Sequence, residues 1–337
     1  MSTKVLVTGA SGFLGAALVR HLIAAGYPVR ALIRKESEKS LLKGLDVEIV
    51  KGDVIHPQAV DRAVNGCKVI FHLASIYAFY PWWEREARSL YKINVGGTRN
   101  VLAAALKHKA EKFIFTSSVA SIGKRPDAKP GNEETVFNVW RAASHYARSK
   151  LLAEYEVLKF CERGLHALIL NPAVIIGEGD YKPTPSGEII VKFLNRRYLF
   201  YFDAVLSVAD VDDVARAHIA AIKKGRIGER YILCDKEAYT MRKFLKLLEE
   251  VSGVEAPRMS LPYPLLLSFI YAEEAFSYFI LKKKPLFPSE GIKFCHLSLK
   301  FDNSKAVKEL GYTSTPFKET LKKAVVWYRD NGYIKNA

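Results

Sequence analysis

The chain has 337 residues, 49% hydrophobic and 26% charged, with 21 Gly and 14 Pro. This excludes a disordered, collagenous or low-complexity protein and leaves room for one large α/β domain or two smaller ones. The formal net charge is +16, but the basic residues are spread along the chain without a nucleic-acid motif, so a solvated basic surface is expected and no nucleic-acid partner. Cys67, Cys161, Cys234 and Cys295 lie far apart with no CxxC. Neither a disulfide framework nor a metal site is expected, and a reducing, cytoplasmic setting is the simplest one.

Met1-Ser2-Thr3-Lys4 leads into Val5-Leu6-Val7, too short for the apolar part of a signal segment. Lys4–Thr8 predicts a strand, Phe13–Ala25 a helix with Leu14, Leu18 and Leu22 on one face, and Val29–Ile33 the next strand. Val47–Val50, Val69–Leu73, Phe113–Thr116 and Ala167–Leu170 are further short apolar strands, with helices between them at Ile93–Leu106 and Ser144–Cys161. Continuous apolar strands alternating with helices predict a doubly wound, parallel α/β sheet of the Rossmann type over residues 1–175.

After Asn171 the rhythm changes. Val174–Gly187 is rich in Gly and Pro and predicts a loop across the mouth of a site. Strands follow at Ala204–Val208 and Arg230–Leu233, and helices at Glu188–Leu194, Val211–Lys223, Tyr239–Val251, Pro264–Ile280 and Phe317–Arg329. Residues 176–337 are thus expected to form a smaller, mostly helical substrate-binding region, with about 204–225 returning to the first domain. Leu261–Leu281 contains Pro262, Pro264, Glu273 and Glu274, so no integral membrane segment is expected. Core packing is the expected fate of the helix, and peripheral membrane contact through it and Lys282–Lys284 is the alternative.

Chemistry is signalled at three places. The first strand ends in Thr8-Gly9-Ala10-Ser11-Gly12-Phe13-Leu14-Gly15. Glycines there suit a sharp turn, close approach to a pyrophosphate and tight helix packing, and the helix N-terminus offers free N–H groups. The second strand ends in Arg34-Lys35, where an NAD site commonly has an acid. A base pairs with the 2′-phosphate of NADP(H), which is therefore favoured, with NAD(H) as the alternative. Tyr146 and Lys150 stand four apart on a helix face. The ammonium, aided by the charge of an oxidised nicotinamide, is expected to lower the phenol's pKa so that it exchanges a proton with a substrate oxygen, beside a hydroxyl from Ser117-Ser118.

The chain resembles the extended short-chain dehydrogenase/reductases. The resemblance is carried by TGASGFLG at Thr8–Gly15, GDV at Gly52–Val54, HLAS at His72–Ser75 and NVGGTRNVL at Asn94–Leu102. It continues through FTSSVA at Phe115–Ala120, YARSK at Tyr146–Lys150 and NPAVIIG at Asn171–Gly177. Within the family the chain is similar to the dihydroflavonol 4-reductase-like branch. Lys182–Gly187 and Gly225–Leu233 look like the bacterial hopanoid-associated sugar epimerases.

The resemblance implies that Tyr146 is the acid/base, that Lys150 is its partner and holds the nicotinamide ribose, and that Ser118 holds the substrate oxygen, with Ser117 its rival. It implies a dinucleotide held by Gly9, Ser11, Gly12, Phe13, Leu14, Gly15, Arg34, Lys35, Asp53 and Val54. Leu73, Ala74, Ser75, Asn94, Thr116, Pro172, Ala173 and Val174 would complete that cofactor site with Tyr146 and Lys150. The substrate pocket is expected at Tyr77, Trp82, Ser118, Val119 and Lys182, with Phe79–Trp83 as an aromatic wall. Asp210, Asp212 and Asp213 are expected as helix caps and hinge contacts.

Sugar-nucleotide dehydratases of the family carry Asp-Glu where this chain has Ser117-Ser118, which argues against dehydration. The leading expectation is an NADP(H)-dependent reductase or dehydrogenase of a small apolar or aromatic substrate, as monomer or homodimer. The alternatives are an NAD-dependent sugar-nucleotide epimerase, possibly linked to hopanoid synthesis, and a non-catalytic dinucleotide sensor.

Overall fold

The computed structural model describes residues 3–35, 40–77, 84–283, 285 and 289–334. The first half runs β1 (Val5–Thr8), α1 (Phe13–Ala24), β2 (Val29–Ile33), β3 (Val47–Lys51), α2 (Pro57–Val64), β4 (Val69–His72), α3 (Glu84–Tyr91), α4 (Thr98–Lys107), β5 (Lys112–Thr116), α5 (His145–Glu162) and β6 (Ala167–Pro172). The second half runs β7 (Val174–Ile176), α6 (Pro185–Leu194), β8 (Phe200–Tyr201), β9 (Val205–Asp210), α7 (Val211–Lys224), β10 (Arg230–Leu233), β11 (Ala238–Thr240), α8 (Met241–Ser252), β12 (Met259–Ser260), α9 (Tyr263–Phe276), α10 (Ser289–His296), α11 (Ser304–Leu310) and α12 (Phe317–Asp330).

Seven parallel strands form one sheet in the order β10-β6-β5-β4-β1-β2-β3. Successive side chains of a strand point to opposite faces, and both faces are covered. Val5 and Val7 pack with α1 and α7, through Leu18, Leu22 and Val214. Leu6 packs on the other side with Val60, Val101 and Val157 of α2, α4 and α5. This two-sided burial is why the strands read as unbroken apolar runs. Strand order reverses between β1 and β4, and a crevice opens there at the strands' C-terminal ends.

A second core joins α6, α8 and α12 beneath the small sheet β11-β9-β7, around Phe193, Phe244, Leu248 and Leu321. Asp210 caps α7 by accepting from the amides of Asp212 at 2.8 Å and Asp213 at 3.4 Å. It also accepts from the Thr320 hydroxyl at 2.8 Å, tying α12 to that cap.

Four local expectations are corrected. Val174–Gly187 is not all loop. Val174–Ile176 pairs in parallel with β9, and α6 starts at Pro185, with the Thr184 hydroxyl accepting from Gly187 N at 3.3 Å. Proline fits there because the first turn of a helix needs no N–H from it. The helix expected from Ile93 begins as a π-helical turn, Lys92–Gly97, and a Cβ on Gly97 would lie 2.6 Å from Val54 Cγ2, so glycine lets that turn seat on Val54. Tyr239 belongs to β11, not to the helix after it. Core packing of Pro264–Ile280 is overturned: in α9 only Leu266, Ile270 and Glu274 are buried, while Phe269 is 62% exposed.

Candidate active site

The crevice holds a cavity of about 370 Å³ walled by the turns after β1, β2 and β4. Gly9 has φ +72°, and a Cβ there would lie 2.8 Å from Ala74 N. A Cβ on Gly15 would lie 2.1 Å from Gly9 O, so its absence lets α1 seat on the turn. Gly12 precedes α1 with no side-chain cap, and the helix has no acid in its first turn. Its N–H groups therefore face the cavity unopposed, which fits a pyrophosphate.

Of the residues expected to hold a dinucleotide, Gly9, Ser11, Gly12, Phe13, Arg34, Asp53, Val54, Leu73, Ala74 and Ser75 line this cavity. Leu14 instead packs against the core beneath the turn, and Lys35 is exposed one residue beyond the wall. Pro172 ends β6, and Ala173 packs with Val119 in a small cluster beside β7, which begins at Val174. Gly52 of the GDV motif also lines it, and Leu32, Ile33, Leu41, Ile76 and Ile93 are further lining residues that the sequence motifs did not single out.

A strap, residues 180–184, closes the cavity from the C-terminal half through Asp180, Tyr181, Lys182 and Thr184. Lys182, expected in the substrate pocket, thus lines the same cavity as the glycine turn. The strap is anchored by Asp180, only 2% exposed, which accepts from Thr184 N at 2.9 Å and from the hydroxyls of Thr184 at 2.8 Å and Tyr328 at 2.9 Å.

The second cluster forms where α5 meets the end of β5. Ser144 caps α5 by accepting from Ala147 N at 3.2 Å, and Tyr146 and Lys150 follow one turn apart. Lys150 is 3% exposed and donates to the Thr116 carbonyl at 2.9 Å. Its ammonium is 5.9 Å from the Tyr146 ring centroid. Burial lowers the Lys150 pKa to about 8, opposed by the charge of Glu154. Burial also pushes Tyr146 up to about 12, opposed by a hydrogen bond with Ser118. Among the protein's own groups burial thus sets the direction for the phenol; the expected lowering also draws on the charge of an oxidised nicotinamide.

Ser118 and Ser117 separate cleanly. The Ser118 hydroxyl meets Tyr146 and accepts from Ala120 N at 3.1 Å. The Ser117 hydroxyl is buried and turned toward Ser121, 3.5 Å away. The Tyr77 ring lies edge-on to Tyr146 with centroids 4.5 Å apart. Tyr146, Val139 and Phe294 pack against one small apolar cluster that includes Ala120, Ala147 and Leu151, and Val119, which follows Ser118, is buried. Trp82 and the rest of Phe79–Trp83 lie outside the described residues.

Two buried polar networks hold these parts in place. Asn94, in the π-helical turn, accepts from Ile76 N at 2.8 Å and donates to Ile76 O and Ser149 Oγ, both at 3.0 Å. It ties the loop after β4 to α5. Glu154, wholly buried one turn after Lys150, pairs with Arg230 at 2.8 Å and accepts from Ser121 at 2.6 Å and Asn171 at 2.7 Å.

Two histidines complete the set. His218 donates from Nδ1 to the Val214 carbonyl at 2.7 Å, so its Nε2 accepts from the Thr116 hydroxyl at 2.8 Å. The Thr98 hydroxyl donates to Asn94 O, so His72 Nε2 donates to Thr98 at 2.9 Å and His72 Nδ1 accepts from Thr8 at 2.7 Å.

Burial lowers the pKa of His72 to about 3 and that of His218 to about 4. Unfolded chains take up these protons near pH 6.5. Below that pH the unfolded state binds more protons, so stability falls as pH falls. The two together should cost roughly 5 kcal/mol between pH 6.5 and 4.5. Urea titrations across that range should show His218→Gln with a shallower acid limb than the parent, and equal limbs would contradict this account.

Residues 5–234 match the model of the NAD dependent epimerase/dehydratase family. A Synechocystis sp. protein named "Putative dihydroflavonol 4-reductase" is 38% identical over 99% of this chain and 97% of its own length. Sterol demethylase protein B of Methylococcus capsulatus is 31% identical over 98% of this chain and 99% of its own. The crystal structure of gox2253 superposes with a TM-score of 0.84 at 34% identity, covering 99% of this chain and 100% of that one. The chain belongs to the NAD dependent epimerase/dehydratase family and is an extended short-chain dehydrogenase/reductase, an enzyme that works with a nicotinamide dinucleotide.

Proposed function

We propose that the protein is an NADP(H)-dependent reductase of a carbonyl, or dehydrogenase of the matching alcohol, on a small apolar or aromatic substrate. The observation that carries this is Arg34, exposed on the cavity wall at the end of β2, where a 2′-hydroxyl would call for an acid. When bound, the dinucleotide supplies or accepts the hydride. Tyr146, protonated with its pKa near 12, holds the proton that a carbonyl oxygen needs on reduction. Ser118 faces the same phenol, so one substrate oxygen can meet both hydroxyls. Tyr77 packs on the phenol ring, and the cluster that Tyr146, Val139 and Phe294 pack against is apolar, which suits a substrate without a charged handle.

In this reading residues 1–175, joined by 204–225, hold the dinucleotide, and the rest of 176–337 mainly shapes the substrate pocket. The retained Tyr146 and Lys150 count against a purely sensing role. NADPH should bind more tightly than NADH, and Arg34→Asp should reverse the order by roughly 10- to 100-fold, the worth of a charge-assisted hydrogen bond. Fluorescence titration at fixed salt measures it. Equal affinities in the parent would sink the NADP(H) assignment. Stoichiometric NAD that resists dialysis, with interconversion of a UDP-sugar pair, would establish a sugar-nucleotide epimerase in its place.

A further inference from the structure

The stretch Tyr263–Leu281, α9 and the π-helical turn Ser277–Leu281 after it, is long and apolar enough to cross a membrane, yet only 22% of it is buried. Its two faces differ. Leu266, Ile270, Glu274 and Ser277 form one buried stripe against the protein. Leu265, Phe269, Phe276, Phe279 and Ile280 form another, 49% to 68% exposed. The buried stripe fixes the helix along the protein body, so it can lie on a bilayer but not span one.

The charges favour an anionic partner. Glu274 is 1% exposed and accepts from Ser289 N at 2.7 Å, and Glu273 accepts from the Ser277 hydroxyl at 2.7 Å. Neither acid belongs to the exposed apolar stripe. Lys282 and Lys283 are exposed where the stripe ends, and the Lys293 ammonium sits 5.0 Å over the Tyr271 ring alongside it. At the other end, β12 runs directly into α9 carrying Met259, 57% exposed, and pairs with β8, which follows the exposed Arg196-Arg197 and Leu199. Two copies of this face would bring like charges together in a chain of net charge +16, whereas anionic headgroups satisfy them.

We propose that α9 and the turn after it form a docking face for an anionic bilayer, with the aromatic stripe in the acyl boundary and the lysines among the headgroups. The face is one layer from the catalytic cluster. α9 packs on α10, with Tyr263 stacked on His296, and Glu290 of α10 accepts from the N–H of His145, the residue before Tyr146, at 3.3 Å. Docking therefore sets the site next to lipid, which suits a carbonyl or alcohol dissolved in the bilayer. That last step rests on the reductase reading; the docking itself does not.

Co-sedimentation of the full chain with phosphatidylcholine vesicles, with and without phosphatidylserine, tests the docking. The parent should bind the phosphatidylserine vesicles about tenfold or more tightly, and salt should weaken the difference. Phe279→Glu with Ile280→Glu should abolish binding to both. Lys282→Ala with Lys283→Ala should remove only the preference for phosphatidylserine. The altered side chains are exposed, so thermal midpoint and NADPH affinity should match the parent in each variant. Absence of vesicle binding by the parent, or unchanged binding by the double-Glu variant, would overturn the proposal. So would a dimer that binds no vesicles and dissociates in that variant, which would put a second copy on the face. Vesicle binding with no activity on any bilayer-dissolved carbonyl would uphold the docking and reject the reductase reading.

Discussion

Tyr146→Phe should lower kcat by roughly 10²- to 10⁴-fold, the usual worth of a positioned acid/base, and leave dinucleotide affinity within about twofold because uniform binding is untouched. Phenylalanine keeps the ring that packs edge-on against Tyr77 at 4.5 Å, so what is lost is the transferable proton and the hydrogen bond to Ser118. The direction of the pKa shift adds a second expectation. With the phenol near 12, the acid form is present throughout the neutral range. Below the Lys150 limb at about pH 8, reduction should therefore be flat from pH 6, whereas alcohol oxidation, which needs the phenolate, should rise with pH over the same range. Stopped-flow loss of NADPH absorbance at saturating carbonyl measures the first, and NADPH formation the second. Full turnover by Tyr146→Phe would remove the proposed acid/base role.

The nucleotide half of this protein was legible because its physics is local. Strands buried on both faces must be apolar at every position, and the glycine turn after β1 is required wherever a Cβ would meet the backbone of Gly9 or Ala74. The places where the reading failed depend on long-range packing. Nothing near Pro264–Ile280 says whether an apolar helix goes inward or outward. That is decided by α10 covering a single stripe and leaving Phe269 and Phe279 in solvent. The strap was opaque for a similar reason: Asp180 meets its anchor Tyr328 across 148 residues, a pairing that no local pattern announces.

Ser117 and Ser118 could not be distinguished from spacing. The tight turn Val119–Ser121 decides which hydroxyl faces Tyr146. A motif shows the ammonium but not the burial that pushes the Tyr146 phenol up. The start of α6 was the avoidable error, since Thr184-Pro185 is a capping residue followed by a first-turn proline.

Lys150→Met should impair both steps, with kcat/KM down by roughly 10²- to 10⁴-fold and dinucleotide affinity about tenfold weaker, as expected for losing one charge-assisted contact. Its pH behaviour distinguishes this from simple damage. The parent lysine has a pKa near 8, so its ammonium is present below that pH and lost as pH rises through it. Parent kcat/KM should fall above about pH 8, and the variant should lack that limb.

Stability should move the other way. The folded pKa lies below the unfolded value of about 10.4, so below pH 8 the native state carries a buried charge that the unfolded chain hydrates freely. Methionine has similar length and no charge, and Glu154 keeps Arg230 at 2.8 Å, so the variant's thermal midpoint at pH 7 should rise. A side chain whose removal raises stability while lowering turnover serves the reaction, not the fold. A variant that is both inactive and less stable at pH 7 would mark Lys150 as a structural cation joining α5 to Thr116 instead.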